Sequence, residues 1–412
     1  MEAVPKIEGH AAFYAHLRNN EVEKARFIGL ENDRFIEKIL VGREFWEAPI
    51  ITSRICGICP VIHNVTSTKA IEAACGITPS DQTIKLRELM LAAQMIQSHS
   101  LHLYLLVLPD YVGVSSSFEL QKNHPDLFKN AIELKKFADK IIEVIGGRAV
   151  HPITNVPGGF KSYPAKSQLK ELIGSAQTVI EIAESTLRLF ASFDYPEVER
   201  KIIDSALHQK GKFAYYEGDI WTSTGQVFEA GNYTDYIDEE LKEYTSTKFG
   251  TLKGKIMQVG AAARTNLNIF PNDFVKDILK ELGIKLPFLN PFDNILAQAI
   301  ENYYFVIHSV ELLEELSKSI KEEHQQLPKK FGIGTAACEA PRGTLFHHYE
   351  LDDKGRITSC DLVTPTVQNL PALEKDMALF LPKLNDLSVK ERNKNIEMLI
   401  RAYDPCITCA TH

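Results

Sequence analysis

The sequence predicts a mainly α-helical fold with an α+β periphery, in which a central bundle of long helices is flanked by small antiparallel sheets. Long stretches in the middle of the chain carry apolar residues three or four positions apart, which is the spacing of an amphipathic helix. Strand-like runs occur near both ends. The chain has 412 residues, of which 44% are hydrophobic and 24% charged, a composition typical of a globular protein with a large buried core.

The first predicted element is a β-hairpin. Residues 10–17 and 22–29 have strand character and surround Asn19-Asn20. Asparagine tolerates the positive φ that a tight hairpin turn needs, so the two strands should pair across this turn.

The next elements are three long helices. The segment 83–107 follows a Pro-Ser-Asp opening and should stop at Pro109, while the segments 166–190 and 292–321 are amphipathic. Helices of this length normally pack on each other, so they predict the central bundle.

The remaining elements are short. Residues 210–251 are rich in aromatic residues, Gly and Thr, which favours short strands and loops. From residue 330 onward, strand-like runs flank the turn signal Asp352-Asp353-Lys354-Gly355, and a last helix over 388–403 ends before Pro405.

No fixed-period repeat or low-complexity linker divides the chain. We expect an N-terminal segment with the hairpin and a first cysteine pair, a central bundle with a β-rich insertion near 210–251, and a C-terminal segment with a second cysteine pair. Their boundaries are 1–80, 81–328 and 329–412, and they should form one compact body.

Charge and hydropathy exclude several classes of function. The net charge of −8 comes without any basic block, which argues against nucleic-acid binding. The N-terminus lacks the basic and apolar regions of a secretory signal, and the apolar stretch 101–108 is too short to span a bilayer. We therefore expect a soluble chain without a transmembrane segment.

Two Cys-x-x-Cys pairs lie near opposite ends of the chain. Cys56 and Cys59 are followed by His63, and Cys406 and Cys409 by His412. Four thiolates in two such pairs can surround a soft metal. Structural zinc and a redox dithiol are the weaker interpretations, because nearly the whole chain separates the pairs and neither pair begins a helix in a βαβ context. An iron–sulfur cluster stays open on ligand count alone.

The residues around the pairs resemble the large, catalytic subunit of nickel-iron hydrogenases. Further family-like pieces occur in the expected order: KIEGH at 6–10, QSHSLHLYLLVLPD at 97–110, GGRAVHP at 146–152, EAPRGT at 339–344 and TPT at 364–366. The resemblance therefore covers almost the entire chain and implies the fold of that subunit.

The resemblance implies a nickel–iron centre with carbon monoxide and cyanide on the iron. Cys56 and Cys406 would be terminal nickel ligands, while Cys59 and Cys409 would bridge to the iron. The implied reaction is reversible, H2 ⇌ 2 H⁺ + 2 e⁻, with heterolytic cleavage of H2 and with the Cys406 sulfur or Arg342 as the base.

Other matched positions would surround this centre. His63 would donate a hydrogen bond to a bridging sulfur, and Arg342 would lie over the open metal position, with the charged group completed by Asp110 and Asp404. The diatomic ligands would be held by Pro341, the Arg342 backbone and Thr366.

Glu8, in KIEGH, would carry protons away from the centre. The resemblance also implies a hard cation, typically magnesium, near the C-terminus, and it would be bound by Glu37, the Leu362 carbonyl and His412. It implies a processed C-terminus as well, in which a protease removes an extension beyond His412 after nickel insertion.

Cys75, Cys338 and Cys360 lack metal spacing and are interpreted as core residues, so no iron–sulfur cluster is expected on this chain. Electrons would leave through an iron–sulfur small subunit and further electron-transfer subunits. The resemblance favours the cytoplasmic group linked to NAD(P), F420, ferredoxin or heterodisulfide reductase. The alternatives are a metal-free subunit of the quinone-reductase type and a non-catalytic iron–sulfur or zinc scaffold.

Overall fold

The computed structural model describes residues 3–18 and 21–412. The chain begins with an antiparallel hairpin of β1 (Ala11–Arg18) and β2 (Glu21–Gly29), in which Ala11 pairs with Gly29. The two predicted strands are confirmed. The predicted turn at Asn19-Asn20 lies outside the described residues.

Helices make up most of the regular structure and form the predicted bundle. The longest helix, α12, packs on α4, α8 and α9, and α4 also packs on α7. The helices are α1 (Ile36–Leu40), α2 (Ala48–Thr52), α3 (Pro60–Cys75), α4 (Asp81–Leu101), α5 (Leu108–Tyr111), α6 (Ser117–Asn123), α7 (Pro125–Gly146), α8 (Lys166–Gly174), α9 (Ala176–Ala191), α10 (Ala261–Leu267), α11 (Asp273–Glu281), α12 (Asp293–Ser319), α13 (Pro365–Phe380), α14 (Val389–Ala402) and α15 (Ile407–Ala410).

The first predicted long helix differs from the structure at its end. The Ser80 side chain accepts a hydrogen bond from the Thr83 backbone and caps α4, but the last turns form a π-helix over His102–Val107. The expectation that Pro109 stops the helix is wrong. Pro109 lies in the first turn of α5, where a missing N–H leaves no intrahelical bond unmade.

The second predicted helix is divided in two. Between α8 and α9 lies Ser175, whose hydroxyl bonds to the Leu172 carbonyl directly after the poor helix former Gly174. The third predicted helix matches α12 within two residues at each end, and the predicted last helix matches α14, which Ser388 caps.

Small sheets flank the bundle, as predicted. The C-terminal sheet joins β11, β12 and β13 in that order, and Asp352 accepts backbone hydrogen bonds from Lys354 and Arg356 in the predicted turn. The sheets are antiparallel except where β10 pairs with β5. The remaining strands are β3 (Asn155–Val156), β4 (Gly159–Phe160), β5 (Ile203–His208), β6 (Asp219–Thr222), β7 (Val227–Phe228), β8 (Ile237–Leu241), β9 (Lys248–Leu252), β10 (Met257–Gln258), β11 (Ile333–Ala340), β12 (Gly343–Leu351) and β13 (Ile357–Val363).

The largest hydrophobic core draws side chains from the whole length of the chain, from Val4 to Cys409. All three predicted segments contribute to it, while the exact division at 80 and 328 stays a prediction. No helix of the described residues is long and apolar enough to cross a membrane.

Candidate metal centre

Four cysteines from the two ends of the chain meet in the interior. Their Sγ atoms all lie within 4.8 Å of one another, and all four residues are buried. The Sγ atoms of Cys56 and Cys406 are 3.5 Å apart, and those of Cys59 and Cys409 are 3.2 Å apart. Each close pair therefore joins one N-terminal cysteine to one C-terminal cysteine.

Backbone contacts hold the two cysteine pairs together. Cys59 directly precedes α3 and Cys406 directly precedes α15, so both pairs lie at helix starts. The Arg34 guanidinium donates to the Ile55 carbonyl, at 2.7 Å, and to the Thr408 carbonyl. Thr364 Oγ1 donates to the Cys409 carbonyl at 3.0 Å. These contacts fix the distance between loops that are far apart in sequence.

The thiols of the cluster are strongly coupled. The contact with Cys406 lowers the pKa of Cys56 well below its ordinary value, while burial raises the pKa of Cys406 well above it. Thiols packed this closely cannot all ionise at once because neighbouring thiolates repel each other, and a soft cation that replaces the retained protons relieves this repulsion.

A small, mainly apolar cavity adjoins the cluster. It lies at the tip of the β11–β12 hairpin, whose two turn residues are Pro341 and Arg342. Gly343 has φ of 132°, and a Cβ there would lie 2.3 Å from a Val259 methyl group, so this turn requires glycine. The cavity is lined by Cys59, Ile62, His63, Ala340, Pro341, Arg342, Leu345, Pro365, Thr366, Cys406 and Cys409.

Arg342 is held at the cavity by Asp404. Its Nε donates to the Asp404 carbonyl at 2.6 Å and its Nη2 to Asp404 Oδ1 at 2.8 Å. Its Nη1 is buried without a hydrogen-bond partner among the described residues. A buried unpaired donor is rare in proteins, and here it lies on a side chain that lines the cavity.

These observations test whether the residues fit the nickel–iron group that the resemblance implies. Four converging sulfurs are the donor set of a soft metal centre, and the cavity beside them is apolar. The unpaired Arg342 Nη1 is a free donor for a ligand with a lone pair. The residues therefore fit the group.

Glu8 lies directly beside the cluster. Its Oε2 accepts from Cys406 Sγ at 3.0 Å and from the Thr408 backbone at 3.1 Å, and its Oε1 accepts from Thr408 Oγ1 at 2.6 Å. A short bridge between the Glu8 and Cys406 backbones holds this arrangement. The carboxylate contacts a cysteine sulfur of the cluster at Oε2 and Thr408 at both oxygens.

His63 lies on the opposite side of the cluster. Its Nε2 is 3.6 Å from Cys409 Sγ, and burial lowers the pKa of His63 to about 3. The imidazole is therefore neutral, with one nitrogen that donates and one that accepts.

The two predicted aspartates have different partners. Asp404 pairs with Arg342 beside the cavity, whereas Asp110 pairs with Lys6 and Arg401, at 2.6 Å each. The structure thus brings Asp404 to the site and places Asp110 in a neighbouring ion cluster. The expected role of Asp110 over the centre stays a prediction.

The three predicted ligands of a hard cation also meet. His412 Nε2 lies 2.8 Å from the Leu362 carbonyl and 3.5 Å from Glu37 Oε1. Burial raises the pKa of Glu37, but the hydrogen bond and charge of His412, the charge of Lys248 and the Leu362 backbone together outweigh this and bring the pKa down to about 2. A carboxylate, a carbonyl and an imidazole form a donor set that suits a hard cation.

Sequence reasoning missed several groups that support the site. Arg34 joins the two cysteine loops, Thr364 holds the second loop at Cys409, Thr408 orients Glu8, and His347 contacts His63. Each of the four makes a contact with a residue at least 45 positions away, so no local spacing indicates these contacts. Thr408 lies inside the second Cys-x-x-Cys pair, so its place in that motif was the signal that could have found it.

Comparisons with known proteins agree with this geometry. The family model described as nickel-dependent hydrogenase matches residues 34–130 and 182–412. The chain is 34% identical over 419 residues to sulfhydrogenase 1 subunit alpha of Pyrococcus furiosus, covering 100% of this chain and 97% of that subunit. It is 30% identical to NAD-reducing hydrogenase HoxS subunit beta of Cupriavidus necator, covering 100% of this chain and 94% of that subunit. Among solved structures, an NAD⁺-reducing [NiFe]-hydrogenase in the H2-reduced state matches with a TM-score of 0.89 at 25% identity, covering 100% of this chain and 98% of that chain.

Proposed function

This chain belongs to the nickel-dependent hydrogenase family as a catalytic large subunit, and on that premise we propose that its four-cysteine cluster holds a nickel–iron centre. Cys56 and Cys406 are assigned as terminal nickel ligands, and Cys59 and Cys409 as sulfurs shared with iron. The observation that carries the proposal of a metal centre is the convergence of four buried Sγ atoms within 4.8 Å, while the division into terminal and shared sulfurs follows the resemblance. When bound, the centre supplies the site of H2 cleavage and takes up or releases the electrons.

The apolar cavity supports carbon monoxide and cyanide as the further ligands of the iron. Pro341 and Thr366 line it together with Arg342. Apolar walls exclude water, and the polar groups on them provide the few donors that a cyanide nitrogen needs. Thr366 Oγ1 also accepts from the Cys406 backbone at 3.1 Å, so the same residue orients the second cysteine pair.

Arg342 is assigned to H2 cleavage. Asp404 holds two of its nitrogens and leaves Nη1 without a partner in the described part of the chain. The Arg342 guanidinium is already held in position, so it can stabilise the charge that develops during heterolytic cleavage of H2 without first rearranging. Burial lowers the pKa of the Arg342 guanidinium, but the charges of Asp404 and of the cluster sulfurs outweigh this and raise the pKa well above its ordinary value. Arg342 therefore stays charged, and the Cys406 sulfur takes the proton released there.

Glu8 is assigned as the first proton carrier. The distance of 3.0 Å from Cys406 Sγ to Glu8 Oε2 permits direct transfer of a proton. Thr408 fixes both carboxylate oxygens and keeps Glu8 aimed at the sulfur. From Glu8 the proton continues outward toward the surface.

A magnesium ion is proposed at Glu37, the Leu362 carbonyl and His412. His412 Nδ1 also contacts the Cys409 carbonyl at 2.7 Å. A cation bound there would stabilise the C-terminal cysteine loop through this contact between His412 and Cys409.

Electrons require a partner. Within residues 3–18 and 21–412, the four cysteines are the one group of three or more His, Cys, Asp and Glu side chains placed to hold a metal ion, and Cys75, Cys338 and Cys360 are free thiols outside it. We propose an iron–sulfur small subunit and further electron-transfer subunits, which is consistent with relatives that are named as subunits. We further propose a cytoplasmic location and an acceptor among NAD(P), F420, ferredoxin and heterodisulfide reductase.

The test of the centre combines infrared spectroscopy with metal analysis on the purified complex. We expect bands of metal-bound carbon monoxide and cyanide, together with nickel and iron. Cys406→Ser should abolish H2 turnover, because a hard hydroxyl cannot replace a soft thiolate. Cys75→Ala is the matched control, since Cys75 is equally buried but lies outside the cluster. Nickel-loaded protein without such bands would contradict the proposal.

The test of the proton path is Glu8→Gln. The amide keeps the shape of the side chain but cannot carry a proton, so metals should stay bound while exchange between H2 and D2O slows. Glu23→Gln, in the exposed part of the hairpin, is the control. An unchanged exchange rate in Glu8→Gln would show that protons leave by another path.

A further inference from the structure

A row of buried polar side chains leads away from the cluster on the side of Cys409. His63 Nδ1 lies 3.2 Å from His347 Nε2, and His347 Nδ1 lies 3.0 Å from the Tyr349 hydroxyl. The Tyr349 hydroxyl lies 2.8 Å from Ser67 Oγ. At the other end, His63 Nε2 faces Cys409 Sγ at 3.6 Å.

Two packed elements build this row. His63 and Ser67 are four residues apart on α3, and His347 and Tyr349 are two residues apart on β12, so each pair shares one face of its element. The two elements pack on each other. All four side chains are at most 1% exposed. A buried row of polar side chains stabilises the fold only if each donor has an acceptor along its full length.

The direction of the hydrogen bonds follows from the acceptor at the cluster. A metal-bound thiolate accepts, so His63 donates from Nε2 and accepts at Nδ1. His347 must then donate from Nε2 and accept at Nδ1, which requires a proton from the Tyr349 hydroxyl. Ser67 donates to Tyr349 and completes the row. Each member donates toward the sulfur and every donor has an acceptor.

The reverse direction leaves a donor unpaired. Tyr349 would then donate to Ser67, whose Oγ has no other hydrogen-bond partner among the described residues. A buried hydroxyl without an acceptor is unfavourable. Burial lowers the pKa of His347 well below its ordinary value and raises that of Tyr349 well above it, so the imidazole and the phenol each have a single proton to donate. Both imidazoles are thus neutral and the phenol keeps its proton.

We propose that His347 and Tyr349 are positioning residues that hold His63 in the tautomer and orientation that donate to the Cys409 sulfur, and that they thereby tune the metal centre. This inference rests on the proposed function, because it assigns Cys409 as a thiolate ligand. A hydrogen bond to a ligating sulfur withdraws electron density from the metal, and outer groups that orient such donors influence activity.

The test measures the carbon monoxide and cyanide bands of the purified complex. In His347→Leu, the His63 ring loses its partner at Nδ1, so its donation to sulfur weakens and the iron becomes richer in electrons. The bands should shift to lower frequency, and H2 oxidation should fall about 10- to 100-fold. Tyr349→Phe should shift the bands in the same direction by less, and it decides the question if His347→Leu fails to fold.

Two further variants separate positioning from packing. His347→Gln can present an amide N–H near the position of Nε2, so it should restore the wild-type bands at least in part. His348→Gln is the matched control, since His348 is adjacent in sequence but contacts Thr335 on the other face of the strand. Its bands should equal those of the wild type.

The outcomes are distinguishable. Wild-type protein that lacks the bands altogether would overturn the proposed function. Unshifted bands in fully metal-loaded His347→Leu would leave the proposed function intact and overturn this inference. If that variant does not fold, unshifted bands in Tyr349→Phe would have the same meaning. A shift of equal size in His348→Gln would also overturn it, because the effect would then come from packing of the strand.

Discussion

At the scale of single residues, Arg342 has the most demanding geometry. Its guanidinium donates hydrogen bonds from Nε and Nη2 to Asp404, while Nη1 has no partner among the described residues and lies on a side chain that lines the cavity. An ammonium donates from a single nitrogen and lacks the planar fork that spans Asp404 and the cavity. Arg342→Lys should therefore lower H2 turnover by a factor of about 10²–10⁴, which is the range for positioned acid–base groups.

The measurement is H2 oxidation by the purified complex, with infrared bands recorded on the same sample. The bands should stay close to wild type, which separates a defect in cleavage from failed assembly. Arg188→Lys, in an exposed ion pair with Glu184, is the matched control. A loss of activity no larger than twofold in Arg342→Lys would assign Arg342 to structure alone.

The predictability of site residues depended on how local their signal is. The cysteines were found from spacing alone, because two thiolates three residues apart can face one metal. Glu8 and Arg342 needed the resemblance, since a lone Glu or Arg is normally solvated. The role of His347 could not be predicted from the sequence, because it depends on contact with His63, which lies on a helix 284 positions away.

At the scale of elements, a buried ion pair joins α3 to α4. Arg87 donates to both oxygens of Glu72 at 2.7 Å and to Asn155 Oδ1 at 2.8 Å, and Arg87 and Glu72 are nearly inaccessible to solvent. Removing one partner of such a pair leaves an uncompensated buried charge. Arg87→Ala should lower the free energy of unfolding by about 3–5 kcal/mol.

Urea unfolding monitored by circular dichroism checks this prediction. Lys85→Ala is the matched control on the same helix, because Lys85 pairs with Glu315 at the surface. An exposed pair contributes at most about 1 kcal/mol. If both substitutions lowered the free energy of unfolding equally, the buried ion pair of Arg87 would not be what stabilises the packing of α3 on α4.

Helices with two contrasting faces or a cap were predictable, and fully buried ones were not. Ser388 caps α14 and its boundary was predicted within one residue. In contrast, α3 and α13 carry buried residues around most of their circumference, so they lack the polar face that produces a helical period. The break at Ser175 was missed for another reason, since apolar periodicity continues across it.

At the scale of the whole molecule, buried histidines predict a pH dependence of stability. Burial holds the pKa of His63 at about 3 and lowers that of His99 and His347. The unfolded chain binds protons at these sites below pH 6.5, whereas the folded chain does not bind one at His63 until about pH 3. The contribution of these three histidines to stability is therefore fully present above pH 6.5 and falls as the pH drops from 6.5 toward 3. His412 contributes in the opposite direction, because the hydrogen bond and charge of Glu37 outweigh burial and raise its pKa.

The expected slope is about 1.4 kcal/mol per pH unit for each histidine that takes up a proton on unfolding. Urea titrations of the metal-free subunit at pH 7, 6 and 5 measure it. His347→Gln should flatten the slope by one proton, and a substitution of the exposed His324 should not change it. A stability that stays constant over this range would show that the buried imidazoles are already charged in the fold.

The last prediction concerns the metals as a link between the two ends of the chain. Cys56 and Cys406 are 350 positions apart, so ligands shared by one centre close nearly the whole chain into a loop. In the chain-entropy model, closing a loop of that length stabilises the fold by about 6 kcal/mol. For a chain of this size, that corresponds to a rise in melting temperature on the order of 5–10 °C.

Calorimetry should therefore show metal-loaded subunit melting above metal-free subunit, with Cys75→Ala behaving as wild type in both forms. The double variant Cys406→Ser, Cys409→Ser should melt like metal-free protein whether or not metals are supplied, because the C-terminal half of the ligand set is gone. Identical melting temperatures of loaded and metal-free wild type would mean that hydrogen bonds such as those of Arg34 to the Ile55 and Thr408 carbonyls already hold the two ends together without the metals.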